Sequence, residues 1–275
     1  MKTTLLLAVL FFTLTSLTPG TKSWTALGDS ITYLNDHPDE TGNRITKGYM
    51  TRVTDQLPDI RYINQGHNGW SAIAIAKEIE HLGLERSDIY TVFLGTNDWG
   101  QGLPLGSFAD YSNNTGTGTF YGAYRVIIDK LVNLNPLAKI ILITPLQRQD
   151  FVYIADSHNN ALGSYKPKNG QMLSQFADAI NAIGEYGHYK VMDLYNKSGI
   201  NLKNLVRFKR MKDTVTGQYK NYKYPDFVGI PFHPEGDDYP YPLPSVNYAY
   251  DGLHPSDKGY RRIANMLIKV LKKEM

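Results

Sequence analysis

Short apolar runs that alternate with helical periods limit what this chain can fold into. The runs are Trp24–Leu27, Tyr62–Asn64, Tyr90–Leu94, Lys139–Thr144 and Tyr189–Asp193. Each is rich in β-branched or aromatic residues and apolar along its length, which suits parallel strands buried on both faces. Between the last runs, Tyr124, Ile127, Ile128, Leu131 and Leu134 recur at helical spacing and stop at Asn135-Pro136. Met172, Phe176, Ile180 and Ile183 repeat the pattern, and Tyr260, Ile263, Ala264, Leu267, Ile268 and Leu271 form a longer stripe. Ala72, Ala76, Ile79 and Leu82 make a weaker one. Such alternation predicts an α/β fold, a mostly parallel five-stranded sheet with helices on both faces. Ligands of such sheets bind at the carboxyl ends of the strands.

Two stretches break the alternation. Residues 99–121 form a Gly-rich loop too long to be a mere connection. Residues 195–250 lack a helical period and carry many aromatics, and VRFKRMKDTVTGQYKNYKY within them reads as a hairpin around Thr214–Gly217. No repeat or linker separates a second domain, so residues 24–275 are expected to form a single domain with an insertion near 195–250. The first residues, MKTTLLLAVLFFTLTSLTPG, have the layout of a signal peptide, which sets residues 1–23 apart and predicts a secreted or periplasmic protein. Its apolar core, Leu5 to Leu17, is shorter than the roughly 20 residues a membrane helix needs, so no stable membrane span is expected.

A hydrophobic content of 42% and 275 residues allow a sizeable core without staples, and the chain has no cysteine. Disulfides, thiol nucleophiles and cysteine-based zinc sites are therefore excluded. The formal net charge of +3 falls to about +1 without Lys2 and Lys22, which does not point to a nucleic-acid partner.

Polar corners stand where the strands end. Gly28-Asp29-Ser30 follows the first run, "NQGHNGWSA" (64–72) follows the second, and "LGTNDW" (94–99) follows the third. Near the end, "YDGLHPSDKGY" places Asp251 three residues before His254, with Gly252 between them, where a tight turn can aim both side chains the same way. An alcohol attacks an ester when a base takes its proton and donors hold the oxyanion. Ser30, a histidine and an orienting carboxylate would supply the first requirement. The Gly69 and Ser30 amides and the Asn97 carboxamide are candidates for the second. Each block alone has a plain explanation as a turn, a cap or a structural histidine; their joint occurrence at three strand ends and before the last helix is what argues for chemistry.

The four blocks, Gly28-Asp29-Ser30, Asn64 to Gly69, Gly95-x-Asn97-Asp98 and Asp251-x-x-His254, resemble those of the SGNH hydrolases, also called GDSL lipases or esterases. The resemblance implies a flavodoxin-like three-layer α/β/α sandwich, with Ser30 as nucleophile, His254 as base and Asp251 as its orienting acid. It further implies Gly69, Asn97 and the Ser30 amide as oxyanion donors, and neither a metal nor an organic cofactor.

Substrate choice is less constrained. Aromatics crowd the loops expected at the site, among them Trp70, Trp99 and Tyr250, which are taken as substrate-binding candidates because aromatic faces stack on sugar rings. The basic hairpin could attract an acidic polysaccharide, or simply be solvated. The loop 99–121 is too polar for a greasy lid. The expected substrate is therefore a small-molecule or glycan ester, with short acyl (acetyl) groups on a carbohydrate foremost. The alternatives are a lipid-directed acylhydrolase, an acyltransferase with the same triad, and a non-catalytic glycan-binding protein on the same fold. A calcium site in "HPEGDDYP" (233–240) through Glu235, Asp237 and Asp238 is weakly suggested, since its spacing matches no EF-hand.

Overall fold

The computed structural model describes residues 20–274, so the leader expected at residues 1–23 lies outside the described residues for its first 19 positions. The central strands are β1 (Lys22–Gly28), β2 (Ile60–Gly66), β3 (Ile89–Phe93), β4 (Lys139–Ile143) and β5 (Lys190–Met192). They pair in the order β2-β1-β3-β4-β5, every neighbour parallel. All five apolar runs are strands of this sheet.

Within a strand, successive residues face opposite layers. In β3, Ile89 and Phe93 join one core while Tyr90 and Val92 join the other, and β4 splits Ile141 and Ile143 from Ile140 and Leu142 in the same way. This is why the runs are apolar throughout. The edge strand β2 departs from the expectation: Arg61 is exposed and Asn64 and Gln65 are only half-buried, because one of its sides has no strand partner.

The helices are α1 (Ser30–Tyr33), α2 (Tyr49–Thr54), α3 (Ala72–Glu78), α4 (Thr96–Gly100), α5 (Phe108–Ser112), α6 (Phe120–Leu134), α7 (Leu173–Tyr186), α8 (Leu194–Lys197) and α9 (Asp257–Glu274). One face of the sheet is covered by α2 and α9, the other by α3, α6 and α7. The result is a three-layer α/β/α sandwich. The apolar stripes are the buried faces of α6, α7 and α9: Ile127, Leu131, Phe176, Ile180, Ile263 and Leu267 are all fully buried.

The Gly-rich stretch 99–121 is structured. It holds α5, whose N-terminus is closed by a reciprocal Ser107–Asp110 capping box. Phe108, Tyr111 and Tyr121 pack with Tyr186 of α7 on the second core. Stretch 195–250 includes the expected antiparallel hairpin, Lys209–Lys212 with Tyr219–Tyr222, turning at Gly217 with φ +69°. Leu205, Val206 and Tyr241 from this stretch are buried in the α2/α9 core.

Between β4 and α7 the chain makes a further short hairpin, Phe151–Val152 with Asn160–Ala161. Asp150 anchors it. Its carboxylate accepts from Lys209 Nζ (2.8 Å), Gly163 N (2.9 Å) and Tyr165 Oη (2.5 Å), and its carbonyl accepts from Tyr241 Oη. The Lys209–Asp150 pair is almost wholly buried. Removing one partner of such a pair strands the other charge away from water. Lys209→Met should therefore lower the unfolding free energy by about 3–5 kcal/mol, read as a reduced urea midpoint. An unchanged midpoint would show that Asp150 does not depend on its partner.

Candidate active site

β1 lies between β2 and β3 with Gly28 opposite both Gly66 and Phe93, so three strands end at one level. The chain then turns sharply. A Cβ on Gly28 would sit 2.1 Å from Thr32 Oγ1, which is why the turn needs glycine. Asp29, in extended backbone, is the N-cap of α1, and its carboxylate accepts from Ile31 N (2.9 Å). The capping duty thus falls on Asp29 and leaves the Ser30 hydroxyl free for another partner. α1 is a single turn, so any anion at Ser30 would be held by the local amide and not by a long helix dipole.

Ser30 Oγ lies 2.9 Å from His254 Nε2, and His254 Nδ1 lies 2.6 Å from Asp251 Oδ2. The other carboxylate oxygen of Asp251 accepts from the amides of Leu253 (3.0 Å) and His254 (2.7 Å). These bonds fix the carboxylate, which in turn makes Nδ1 the protonated nitrogen and leaves Nε2 as acceptor for the serine hydroxyl. Gly252 has φ +89°, and a Cβ there would stand 2.0 Å from the Asp150 carbonyl, so the Asp–His turn is tight against the anchored segment. Gln149 N donates to Gly252 O (2.9 Å) and Val152 N to Asp251 O (3.2 Å), joining the two.

Gly69 stands in the turn closed by Trp70 N donating to His67 O (3.1 Å), with φ +78°. Its carbonyl accepts from Gln101 Nε2 (2.9 Å), while one hydrogen of the Asn97 carboxamide goes to Trp70 O (2.9 Å). The Ser30 and Gly69 amides make no hydrogen bond to protein among the described residues. Ser30, Gly69 and Asn97 line one cleft of about 340 Å³ together with His254.

Two acids support this loop assembly. Asp98 is buried and accepts from Ala72 N (2.8 Å) and Ile73 N (3.3 Å) at the start of α3, clamping the loop bearing Gly69 to α4. Burial pushes its carboxyl up to about 6, against the lowering by those amides, and burial pushes Asp29 up to about 7. Asp29 and Asp98 belong to the blocks at the strand ends, but residue order alone assigns neither a role.

None of the three aromatic candidates lines this cleft, although Trp99 borders the cavity next to it. Trp70 is half-buried and stacks on His67 at 4.8 Å. Trp99 is buried in the second core, its Nε1 donating to Gln171 O (2.9 Å). Tyr250, expected to face substrate, is instead fully buried and stacks behind the His254 ring at 5.8 Å. Packing onto the core is the better use of their area. The cleft's aromatic wall is Phe151 and Tyr153, joined by Arg148, Asn159 and Asn160. These residues belong to the β4–α7 connection, which has no periodicity; the polar run Gln147-Arg148-Gln149-Asp150 directly after a strand was its one signal.

Three of the basic hairpin's six cations are paired, Lys209 with Asp150, Lys220 with Asp213 (2.7 Å) and Lys212 with Asp237 (3.5 Å). In the stretch weighed for calcium, Asp237 also accepts from His233 N (2.7 Å), and Glu235 faces His158 (3.3 Å). Among the described residues no group of three or more His, Cys, Asp or Glu side chains is arranged to hold a metal ion. Nor is any described helix long and apolar enough to cross a membrane.

Residues 26–262 match the GDSL-like lipase/acylhydrolase family. The chain belongs to that family. As a member it is a carboxylic ester hydrolase, and its fold is shared by solved relatives. A possible lipase from Chitinophaga pinensis is 57% identical, with a TM-score of 0.91 over 92% of this chain and 98% of that one. A protein from Lactobacillus plantarum shares the fold at 22% identity and TM-score 0.62, covering 93% of this chain and 99% of its own. The acetyl xylan esterase AlAXEase does so at 18% and 0.51, covering 90% and 99%. No curated protein matches the chain.

The buried acids predict a pH effect on stability. A carboxyl whose folded pKa exceeds its ordinary 3.8 favours the folded state when protonated. Its contribution is full below about pH 4 and is lost as pH rises through about 6 for Asp98 and about 7 for Asp29. The melting temperature of wild type relative to Asp98→Asn should accordingly fall between pH 4 and 7. A pH-independent offset would mean that Asp98 ionises normally.

Proposed function

We propose that the GDSL hydrolase cleaves esters through a Ser30 acyl-enzyme. The observation that carries this reading is the continuous chain Ser30 Oγ–His254 Nε2 and His254 Nδ1–Asp251. Ser30 Oγ attacks the acyl carbon as its proton passes to His254 Nε2, and Asp251 stabilises the imidazolium so formed. The tetrahedral oxyanion is held by the amides of Ser30 and Gly69 and by Asn97 Nδ2. Collapse expels the alcohol, which takes the proton from Nε2. Water then attacks the acyl-enzyme, giving its proton to His254, and release of the acid restores the Ser30 hydroxyl.

The preferred substrate is a short acyl ester, acetyl foremost, on a carbohydrate. In support, the cleft is lined by the side-chain amides of Asn68, Asn97, Gln101, Asn159 and Asn160, groups that bond sugar hydroxyls. Export from the cytoplasm is part of this proposal and rests on the leader-like first 23 residues. A lipid substrate is the second reading, favoured by the description of the 57% identical relative as a possible lipase.

Ser30→Ala should abolish turnover while leaving the melting temperature near that of wild type; residual near-normal esterase activity would refute the assignment. Asn97→Ala should lower kcat by about 10²–10³-fold with a smaller change in KM, as expected for a donor used in the transition state. Across p-nitrophenyl esters, kcat/KM should peak at acetate. A peak at eight carbons or longer would favour the lipid reading.

A further inference from the structure

Arg148 is 3% exposed, yet its guanidinium makes no hydrogen bond and no ion pair with any described residue. Nε is sealed from solvent and unpartnered. The residue borders the catalytic cleft beside Asn97 and Gly100. It is held in place by its surroundings. The guanidinium lies 5.3 Å above the Trp99 ring, and the Arg148 backbone is bound on both sides by Ser164: Arg148 N donates to Ser164 Oγ (3.1 Å), and Ser164 N donates to Arg148 O (2.8 Å). Gly100 makes room for it, since a Cβ there would stand 3.2 Å from Nη1.

Buried charges are ordinarily paired, and an unpaired one costs several kcal/mol of desolvation. Burial draws the Arg148 guanidinium down to about 10, leaving it charged at neutral pH, and the carboxylates of Asp251, Asp150 and Asp29 act on it without contact. A planar fork of donors with no protein acceptor, fixed at the wall of a substrate cleft, matches a carboxylate.

The charge of the surrounding walls agrees. A second cavity of about 390 Å³ continues from the cleft, sharing Gly100, Phe151, Asn160 and Ala161 with it. Lys209 and Asp150 on its wall cancel as an ion pair, which leaves Lys166 and Lys168, and no acid borders the catalytic cleft. The two exposed lysines would draw an anion toward the cleft.

We propose that Arg148 anchors a carboxylate carried by the ester substrate, making this an esterase for acidic substrates. The inference rests on the reading of the cleft as the ester site. The carboxylate belongs either to the alcohol, as in an acylated uronic acid, or to the acyl group, as in a hemisuccinate.

Matched pairs separate these sources: an acetylated uronic acid against its methyl ester, and phenyl hemisuccinate against phenyl butyrate. Wild type should favour the anionic member of one pair by about 10–100-fold in kcat/KM, the range of a charge-assisted hydrogen bond. That ratio should fall to about one in Arg148→Met and only partly in Arg148→Lys, which keeps charge without the fork. A wild-type ratio near one in both pairs, or equal loss on both members of a pair in Arg148→Met, overturns the proposal. Binding gives a readout independent of turnover and of variant folding. The melting temperature of Ser30→Ala should rise with millimolar uronate or succinate and not with the neutral sugar or butyramide; no such difference counts against the anchor even if the enzyme hydrolyses neutral esters. Loss of Ser30-dependent hydrolysis of every ester would instead count against the reading of the site, while the melting shifts still judge Arg148.

Discussion

Hydrogen bonding of β1 to a parallel strand on each side is the constraint from which the active site follows. Because β1 pairs with β2 and β3 in register, with Gly28 opposite Gly66 and Phe93, the loops leaving all three strands emerge at one level. The chain order reverses there, with β2 on one side of β1 and β3 on the other, so the loops diverge and leave a crevice. Ser30, Gly69 and Asn97 are placed by that crevice before any side chain interacts. The fourth contribution, the Asp251–His254 turn, comes from the far end of the chain and is secured on one side by α9 and on the other by the segment after β4.

That second attachment gives the buried polar groups a common purpose. Asp150 ties Lys209, Tyr165, Gly163 and Tyr241 into a single knot, and the knot's backbone holds the turn carrying the histidine. Asp98 does the corresponding work for the oxyanion loop, and Asp29 for the serine corner. Each of these carboxylates organises backbone amides or a buried cation, so the reacting groups need not also serve as structural ligands. Arg148 is the exception, a buried charge with no protein counterpart, and its position beside Asn97 makes substrate its natural partner.

The alternation of apolar runs located the five strands of the central sheet, and the stripes located α3, α6, α7 and α9, because burial on both faces of a parallel sheet imposes local regularities. Edge strand β2 blurred its pattern through Arg61, Asn64 and Gln65 for lack of a second neighbour. Of the aromatics near motif residues, Tyr250 is drawn into the core, Trp70 is half-buried and Trp99 is buried beside the adjoining cavity, whereas Phe151 and Tyr153 reach the cleft from an unpatterned loop. The hairpin 205–224 showed a cationic run, but two of the three acceptors that pair with it, Asp150 and Asp237, lie outside it.

What could be known from residue order was therefore whatever short-range rules govern: sheet and helix periodicity, the glycines required at tight corners, and the family-like blocks at the strand ends. What needed folded coordinates was whatever depends on partners distant along the chain, such as the 224-residue separation between Ser30 and His254, the neutralisation of Lys209, and the solitude of the Arg148 guanidinium. The physical reason is range. Periodicity reports how each residue divides its surface between core and water, while hydrogen bonds and ion pairs act over a few ångströms between groups that only a completed packing brings together.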